Sequence, residues 1–350
     1  MIRNVYIEDE VREHPRTRDI LDQLDNCNRI YCDRYTEVFN RKSQNFRMQK
    51  TQPALILASK HDNHVLPIPE NYQLAGQASY YFSHMLNCIF DCRYCFLQGM
   101  YRSAHYVVFV NYEDFIDAII SKIDMHSNEQ VCLFSGYDCD SLALDPLTGF
   151  TGFFIPAISG LHSACLELRT KSTQVHSLLK QEAVKNCVIA FSFTPEAISR
   201  ALEHRVPAVK KRIQVIRKLQ EHGWQTGLRI DPLIYCEDYR THYADLFEQI
   251  FSIIDPESIH SVSLGSFRMP DDYFRNLHKL YPDERMFASP LQSRNGNTGY
   301  LKDIEEGMLD FCHSRLLEYI PAGRLFPCLT PGRRPAPGNN LNYHGQVPIE

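Results

Sequence analysis

The chain has 350 residues, 44% hydrophobic and 23% charged, a balance that excludes a mostly disordered protein. Its formal net charge of −5, from 42 acidic and 37 basic residues, does not announce a nucleic-acid binder, although a local basic patch would suffice. No apolar run reaches the ~18 residues of a membrane span and residues 1–16 lack the apolar centre of a signal peptide. A cytoplasmic protein with no membrane partner is expected. In that reducing compartment the 12 Cys point to metal or redox chemistry rather than disulfides.

Residues 1–52 are polar, with helical patterning at Thr17–Leu24, and read as an N-terminal extension packed on a larger domain. From Pro53 onward, β-branched apolar runs alternate with amphipathic stretches. Strands are expected at Ala54–Ala58, Tyr106–Val110, Gln130–Phe134, Ala164–Leu168, Val188–Phe193, Gln225–Ile230 and Ile259–Leu264; Ser79–Phe82 is also strand-like. Helices are expected at Tyr112–Ile123, Ser172–Ala183, Pro195–Glu203, Ala208–His222, Tyr243–Ile254 and Asp272–Leu280. Pro195 suits a first helical turn, and Gly223 stands where a glycine stops a helix. Such alternation argues for a parallel sheet covered by helices. Six or so units in ~200 residues suggest a barrel or partial barrel. Asp303–Tyr319 reads as one more helix, and the Pro-rich stretch after it as loop. The expected division is an extension at 1–52, a barrel at 53–290, a C-terminal cap segment at 291–320 and a Pro-rich tail at 321–350.

The strongest local signal is Cys88-Ile-Phe-Asp-Cys92-Arg-Tyr-Cys95, just after Ser79–Phe82. Three thiolates this close can wrap one soft metal centre. A [4Fe–4S] cluster usually takes four Cys, so three leave one iron open to a substrate or cofactor. Two plainer readings compete. The thiols could be inert and buried, or His84 could join them around zinc, although the spacing is not that of a zinc finger.

The C-x3-C-x2-C run with Tyr94 before its last Cys resembles the signature of the radical S-adenosylmethionine (SAM) superfamily. A narrower resemblance, to spore photoproduct lyases, runs over about residues 1–310. It is carried by Val5–Asp9, Tyr94–Gln98, Val108–Asn111, Asp145–Thr148, Thr170-Lys171, Phe191–Phe193, Lys211–Ile213 and Gly227–Ile234 leading into Tyr235. The resemblance implies a partial (β/α)6 barrel, a [4Fe–4S] cluster on Cys88, Cys92 and Cys95, and SAM on the open iron. It implies a lyase whose 5′-deoxyadenosyl radical reverses a thymine dimer, the spore photoproduct, in ultraviolet-damaged DNA. Damaged DNA and an electron donor such as flavodoxin or ferredoxin are the implied partners.

By the same resemblance Lys171 contacts SAM, its ammonium suited to the carboxylate, and Ser192 lies near the ribose. Gly136 allows close approach of the backbone to a ligand, and Asp138 and Asp140 are candidates for the SAM ammonium. Turn formation and capping would explain those acids equally well. One departure touches the hydrogen atom returned to the product. The family's donor Cys pairs with Tyr137, while Cys139 lies two residues on. Cys139 is the favoured donor on chemical grounds and Tyr137 on alignment, with Tyr94 close to the cluster. One of two Tyr flanking the third cluster Cys is replaced by Phe96. The alternatives that stay open are a family member with another substrate and a non-catalytic metal-cluster-binding protein.

Arg205, Lys210, Lys211, Arg212, Arg217 and Lys218 form a basic run that could meet phosphates or simply be a solvated face. Arg294 in Asn295-Gly296-Asn297 context reads as a flexible basic loop, and Arg333-Arg334 lies in the tail. Cys27, Cys32, Cys132, Cys165, Cys187, Cys236, Cys312 and Cys328 are expected to be buried and inert.

Overall fold

The computed structural model describes residues 2–68, 78–126 and 129–327. Cys328, Arg333-Arg334 and the rest of the Pro-rich tail from residue 328 lie outside them.

Six parallel strands form the heart of the barrel: Ala78–Phe82, Val131–Ser135, Ala164–Thr170, Cys187–Ser192, Gln225–Leu233 and Ile259–Ser266, numbered first to sixth below. Neighbours in sequence are neighbours in space. Val65–Pro67 pairs antiparallel with the first strand, and Leu325–Pro327 pairs in parallel with the sixth. The sheet is therefore curled but open, a half-barrel with two edges.

Alternation sorts the side chains. Leu166, Leu168, Ile189, Phe191, Leu228, Ile230, Val262 and Leu264 face outward. They are buried with Phe154, Ile158, Ile213, Ile216, Phe247 and Ile250 of the covering helices. The opposite, concave face is polar. Arg169, Ala190, Gly227 and Ser261 are in register across four strands, with Ser192, Arg229 and Ser263 in the row above. Arg229 reaches along this face to hold both oxygens of Glu167, at 2.9 and 2.6 Å, and donates to the Ser261 hydroxyl at 3.0 Å. A Cβ on Gly227 would stand 3.0 Å from that guanidinium, so glycine leaves room for the pair.

The helices Tyr112–Met125, Phe150–Ser159, Glu196–Leu202, Val209–Glu221, Tyr239–Phe251, Asp271–Leu280 and Lys302–Leu316 cover the convex side or its ends. The helix expected at Ser172–Ala183 does not form; the connection has a 3-10 turn at Leu178–Lys180. Local bonds take its place: the Thr170 hydroxyl accepts from Ser172 N at 2.8 Å and the Ser172 hydroxyl from Gln174 N at 3.0 Å. Such side-chain bonds compete with helix formation.

Ala54–Ala58 and Tyr106–Val110 are strands, but outside the barrel. Leu55–Ala58 lies between Asn4–Glu8 and Tyr106–Phe109, all parallel, with Asn28–Cys32 beside Asn4–Glu8 and Met85–Leu86 antiparallel at the other edge. This second sheet spans residue 52. Both faces of Leu55–Ala58 and Tyr106–Phe109 are buried, so their runs read like any central parallel strand. The expected flexible loop at Arg294 is instead a hairpin, Leu291–Arg294 with Asn297–Tyr300. Asn295 and Gly296 take φ of 52° and 76°, the left-handed pair that a two-residue hairpin turn needs. Among the described residues, no helix is long and apolar enough to cross a membrane.

Candidate active site

After the first barrel strand the chain leaves the barrel. Met85–Leu86 joins the N-terminal sheet, and Asp91–Cys92 pairs antiparallel with Glu203–His204. Cys88, Cys92 and Cys95 lie on this excursion, which is fixed from several sides. Asn87, at φ 69°, donates to the carbonyls of Ser103 and His105 at 2.6 and 2.8 Å. Lys50 Nζ donates to the carbonyls of Cys88 and Phe90, each at 3.1 Å. Arg93 N donates to Leu202 O at 2.8 Å. The Gln98 amide donates to Cys92 O and accepts from the Tyr281 hydroxyl at 2.7 Å. Gly99 permits the close approach of Leu97–Met100 to Asp271–Leu280, since a Cβ there would lie 2.1 Å from the Tyr273 carbonyl oxygen.

Cys92 is buried and Cys88 and Cys95 are half-buried. Burial pushes the Cys88 thiol up to about 12 and raises Cys92 and Cys95 as well; their mutual proximity adds to the rise for Cys88 and Cys92. Thiolates here therefore need a strong positive charge, which a bound metal supplies. No three His, Cys, Asp or Glu side chains among the described residues converge on a single ion. Cys88, Cys92 and Cys95 are three free thiols on one short loop, donors of the kind an iron–sulfur cluster takes. The donor set fits such a cluster.

The ends of the barrel strands face this loop. Lys171, just after the third strand, exerts its charge on Cys92 and Cys95. Its ammonium lies 3.8 Å from a carboxylate oxygen of Glu203 and 5.6 Å from the centre of the Tyr94 ring. Glu203 is the residue that sequence reasoning missed. Its side chain is fully buried; it accepts from the Tyr94 hydroxyl, from Ser199 at 2.7 Å and from Arg212 at 2.7 Å. Burial alone would raise its pKa, but Arg212 and Lys171, with the hydrogen bonds of Tyr94 and Ser199, hold it below the ordinary value. Arg212 also donates to the Ser192 carbonyl at 2.7 Å. Arg212 is thus no part of a basic surface: it is the buried partner of Glu203. Lys210, Lys211, Arg217 and Lys218 do remain exposed on the same helix. Arg294 is committed as well, to Glu305 at 2.6 Å.

Gly136, directly after the second strand, has φ 90°. A Cβ there would meet the Ser141 hydroxyl at 2.7 Å and Arg169 O at 3.0 Å. The loop it starts ties itself to the third strand through Asp140. That carboxylate accepts from Leu142 N, Ala143 N, the Thr170 hydroxyl and Lys171 N, at 3.1, 2.9, 2.6 and 2.6 Å. Four protein donors make Asp140 a strut that sets the position of Lys171. Asp138 accepts from Ser83.

The same loop sorts Tyr137 and Cys139 apart. Tyr137 is 39% exposed, its ring 4.4 Å from that of Tyr81 and 5.4 Å from that of Phe96. Cys139 is buried in the other core, among Val5, Ile7, Met85 and Val108 of the N-terminal sheet. Strand alternation would have put them on one face; the loop after Gly136 does not follow it. Of the remaining thiols, Cys132, Cys187 and Cys312 are buried as expected, while Cys27, Cys32, Cys165 and Cys236 are only half-buried. Burial raises Cys32 to about 11 and Cys165 to about 12, which keeps both protonated and unreactive.

Comparison with known proteins identifies the fold and the family. Spore photoproduct lyase of Bacillus subtilis is 21% identical over 340 residues, covering 92% of this chain and 96% of that protein. That of Clostridium acetobutylicum is 20% identical over 294 residues, covering 82% and 84%. Two solved structures share the fold: a spore photoproduct lyase variant with bound AdoMet and dinucleoside spore photoproduct (TM-score 0.82), and spore photoproduct lyase complexed with the dinucleoside spore photoproduct (TM-score 0.80). Each is 17% identical, covering 94% of this chain and 98% of its own. The spore photoproduct lyase family model matches residues 3–302, and with that match over most of its length the chain belongs to the spore photoproduct lyase family.

Proposed function

We propose that this protein is a radical SAM lyase that repairs the spore photoproduct in DNA, with Cys88, Cys92 and Cys95 as the ligands of a [4Fe–4S] cluster. The observation that carries this is the meeting of the three-Cys loop with Lys171, Tyr94 and Glu203 at the open end of a half-barrel whose concave face is polar. When bound, the cluster and SAM supply a 5′-deoxyadenosyl radical able to take a hydrogen atom from the lesion.

The chain's own residues do the rest. Lys171 receives the SAM carboxylate, its position set by Asp140 beneath and Glu203 beside it. Glu203 holds the Tyr94 phenol and, through its backbone pair with Cys92, the middle of the cluster loop. Ser192 lines the concave face near the nucleoside. Tyr81, Phe96 and Tyr137 form an aromatic rim against which a flipped base can stack. The exposed Lys210 and Lys211, at the start of their helix, offer contacts to phosphates. Flavodoxin or ferredoxin serves as the electron donor, in the cytoplasm.

Hydrogen return falls to Tyr137 in this reading rather than to Cys139, because Tyr137 is at the rim and the Cys139 thiol is buried against the N-terminal sheet. The same fact supports a second reading, in which this family member acts on a different substrate. An anaerobic assay with reductant, SAM and the dinucleotide spore photoproduct decides between them. Thymine release supports the first. SAM cleavage with an untouched dimer supports the second, and no SAM cleavage removes both.

A further inference from the structure

Lys50 lies near the end of the short helix Phe46–Thr51, in the segment before the barrel. It is 7% exposed. Its ammonium is spent on the carbonyls of Cys88 and Phe90, at 3.1 Å each, and its own carbonyl accepts from Arg205 at 3.0 Å. Among the described residues no carboxylate forms an ion pair with it, whereas the other buried cations of the site have one: Arg212 pairs with Glu203 and Arg229 with Glu167. A buried charge without a counter-ion is costly. Two carbonyl dipoles offset part of that cost. The two carbonyls that Lys50 holds belong to Cys88 itself and to Phe90 between Cys88 and Cys92, so its charge is fixed against the backbone of the cysteine loop.

We propose that Lys50 is a positioning residue and a fixed counter-charge for the metal–thiolate centre. It holds the backbone of the loop at Cys88 and Phe90, and its charge favours the reduced state of the cluster over the oxidised one. Reduction adds one electron from a low-potential one-electron donor and moves no atoms, so the centre becomes more negative by one charge. A cation held in a low-dielectric surrounding stabilises that state selectively. The idea rests on the cluster reading above but not on the SAM site or the substrate.

The test uses the full chain, reconstituted anaerobically and without SAM. Iron per chain and the midpoint potential from a redox titration are compared for wild type, Lys50→Gln and Lys50→Arg. Gln keeps a donor for the carbonyls and removes the charge; Arg keeps the charge. Expected are equal iron contents, a potential in Lys50→Gln more negative by ~59 mV, which is a tenfold weaker one-electron reduction, and a wild-type potential in Lys50→Arg. An unchanged potential in Lys50→Gln overturns the counter-charge, and equal loss of iron in both variants leaves Lys50 a structural residue only. Wild-type protein that takes up no iron fails at the earlier step, the cluster reading itself.

Discussion

The two parallel sheets of this molecule follow opposite logics. The N-terminal sheet buries Val5, Ile7, Leu55, Leu57, Tyr106 and Val108 in one apolar cluster. The barrel sheet is apolar only on its convex side; its concave side carries Glu167, Arg169, Ser192, Arg229, Ser261 and Ser263. A sheet packed on both faces is a scaffold, while one with a polar inner face must answer for its desolvated charges with partners or ligands. The loop after Gly136 touches both. It delivers Cys139 to the scaffold and Tyr137 to the rim, and residues that differ by two in number end in different chemistry.

That contrast breaks most visibly at the cluster loop. Replacing any of Cys88, Cys92 or Cys95 with Ala is expected to abolish the [4Fe–4S] centre, read as loss of the brown colour and of about four irons per chain. Far-UV circular dichroism should be unchanged, because the loop is held by Lys50, Gln98 and the Glu203 pairing.

The next effect is one of stability and belongs to the concave face. Glu167→Gln leaves Arg229 buried without a counter-charge and is expected to cost about 3–5 kcal/mol in denaturant unfolding. Burial alone would raise the Glu167 pKa, but Arg229 prevails and lowers it from 4.5 to about 2. A carboxylate depressed in the folded state stabilises fully above its unfolded value and loses that contribution as pH falls through the folded one. The gap between wild type and Glu167→Gln should therefore be full at neutral pH and close as pH falls from 4.5 towards 2. A gap that stays constant over that window would show that the pair is not ionic.

At the mouth, Lys171→Ala is expected to weaken SAM binding by about 1.5–3 kcal/mol, the range for a lost charge-assisted bond. Iron content stays at the wild-type level. Unchanged affinity in a calorimetric titration would make Lys171 a structural partner of Glu203 only.

The smallest effects draw the line between rim and scaffold. Cys139→Ala is expected to cost about 1 kcal/mol of stability and to leave product identity alone. Tyr137→Phe should leave stability and SAM cleavage intact while changing how the thymine product is quenched. Misquenched product from Cys139→Ala, with Tyr137→Phe silent, would reverse the assignment.

Much of this was legible in the residues. Five of the six barrel strands announce themselves by apolar runs between turn signals, the first, Ala78–Phe82, reads only as strand-like, and the Cys triplet stands out by its spacing. What was not legible depended on partners far away in the chain. Leu55–Ala58 looks like a barrel strand because a run buried on both faces carries no mark of which sheet will bury it. Arg212 sits among five basic neighbours in a run that reads as surface, and only the fold shows it pairing with Glu203. Glu203 itself had no motif, since its importance comes from standing opposite Cys92 and Tyr94. Asn295-Gly296 did carry a signal, that of a hairpin turn, but its polar surroundings suggested a loose loop.

The pairing of the cluster loop with Glu203 also has a consequence in time. Tyr94 and Glu203 are 109 residues apart, and the chain emerges from the ribosome at ~5–20 residues per second. For about 5–20 s after the three cysteines have been made, the segment that closes over them does not yet exist. During that interval nothing in the fold covers the three thiols, so the protection that the Glu203 pairing gives the cysteine loop is a property of the finished chain and not of the growing one.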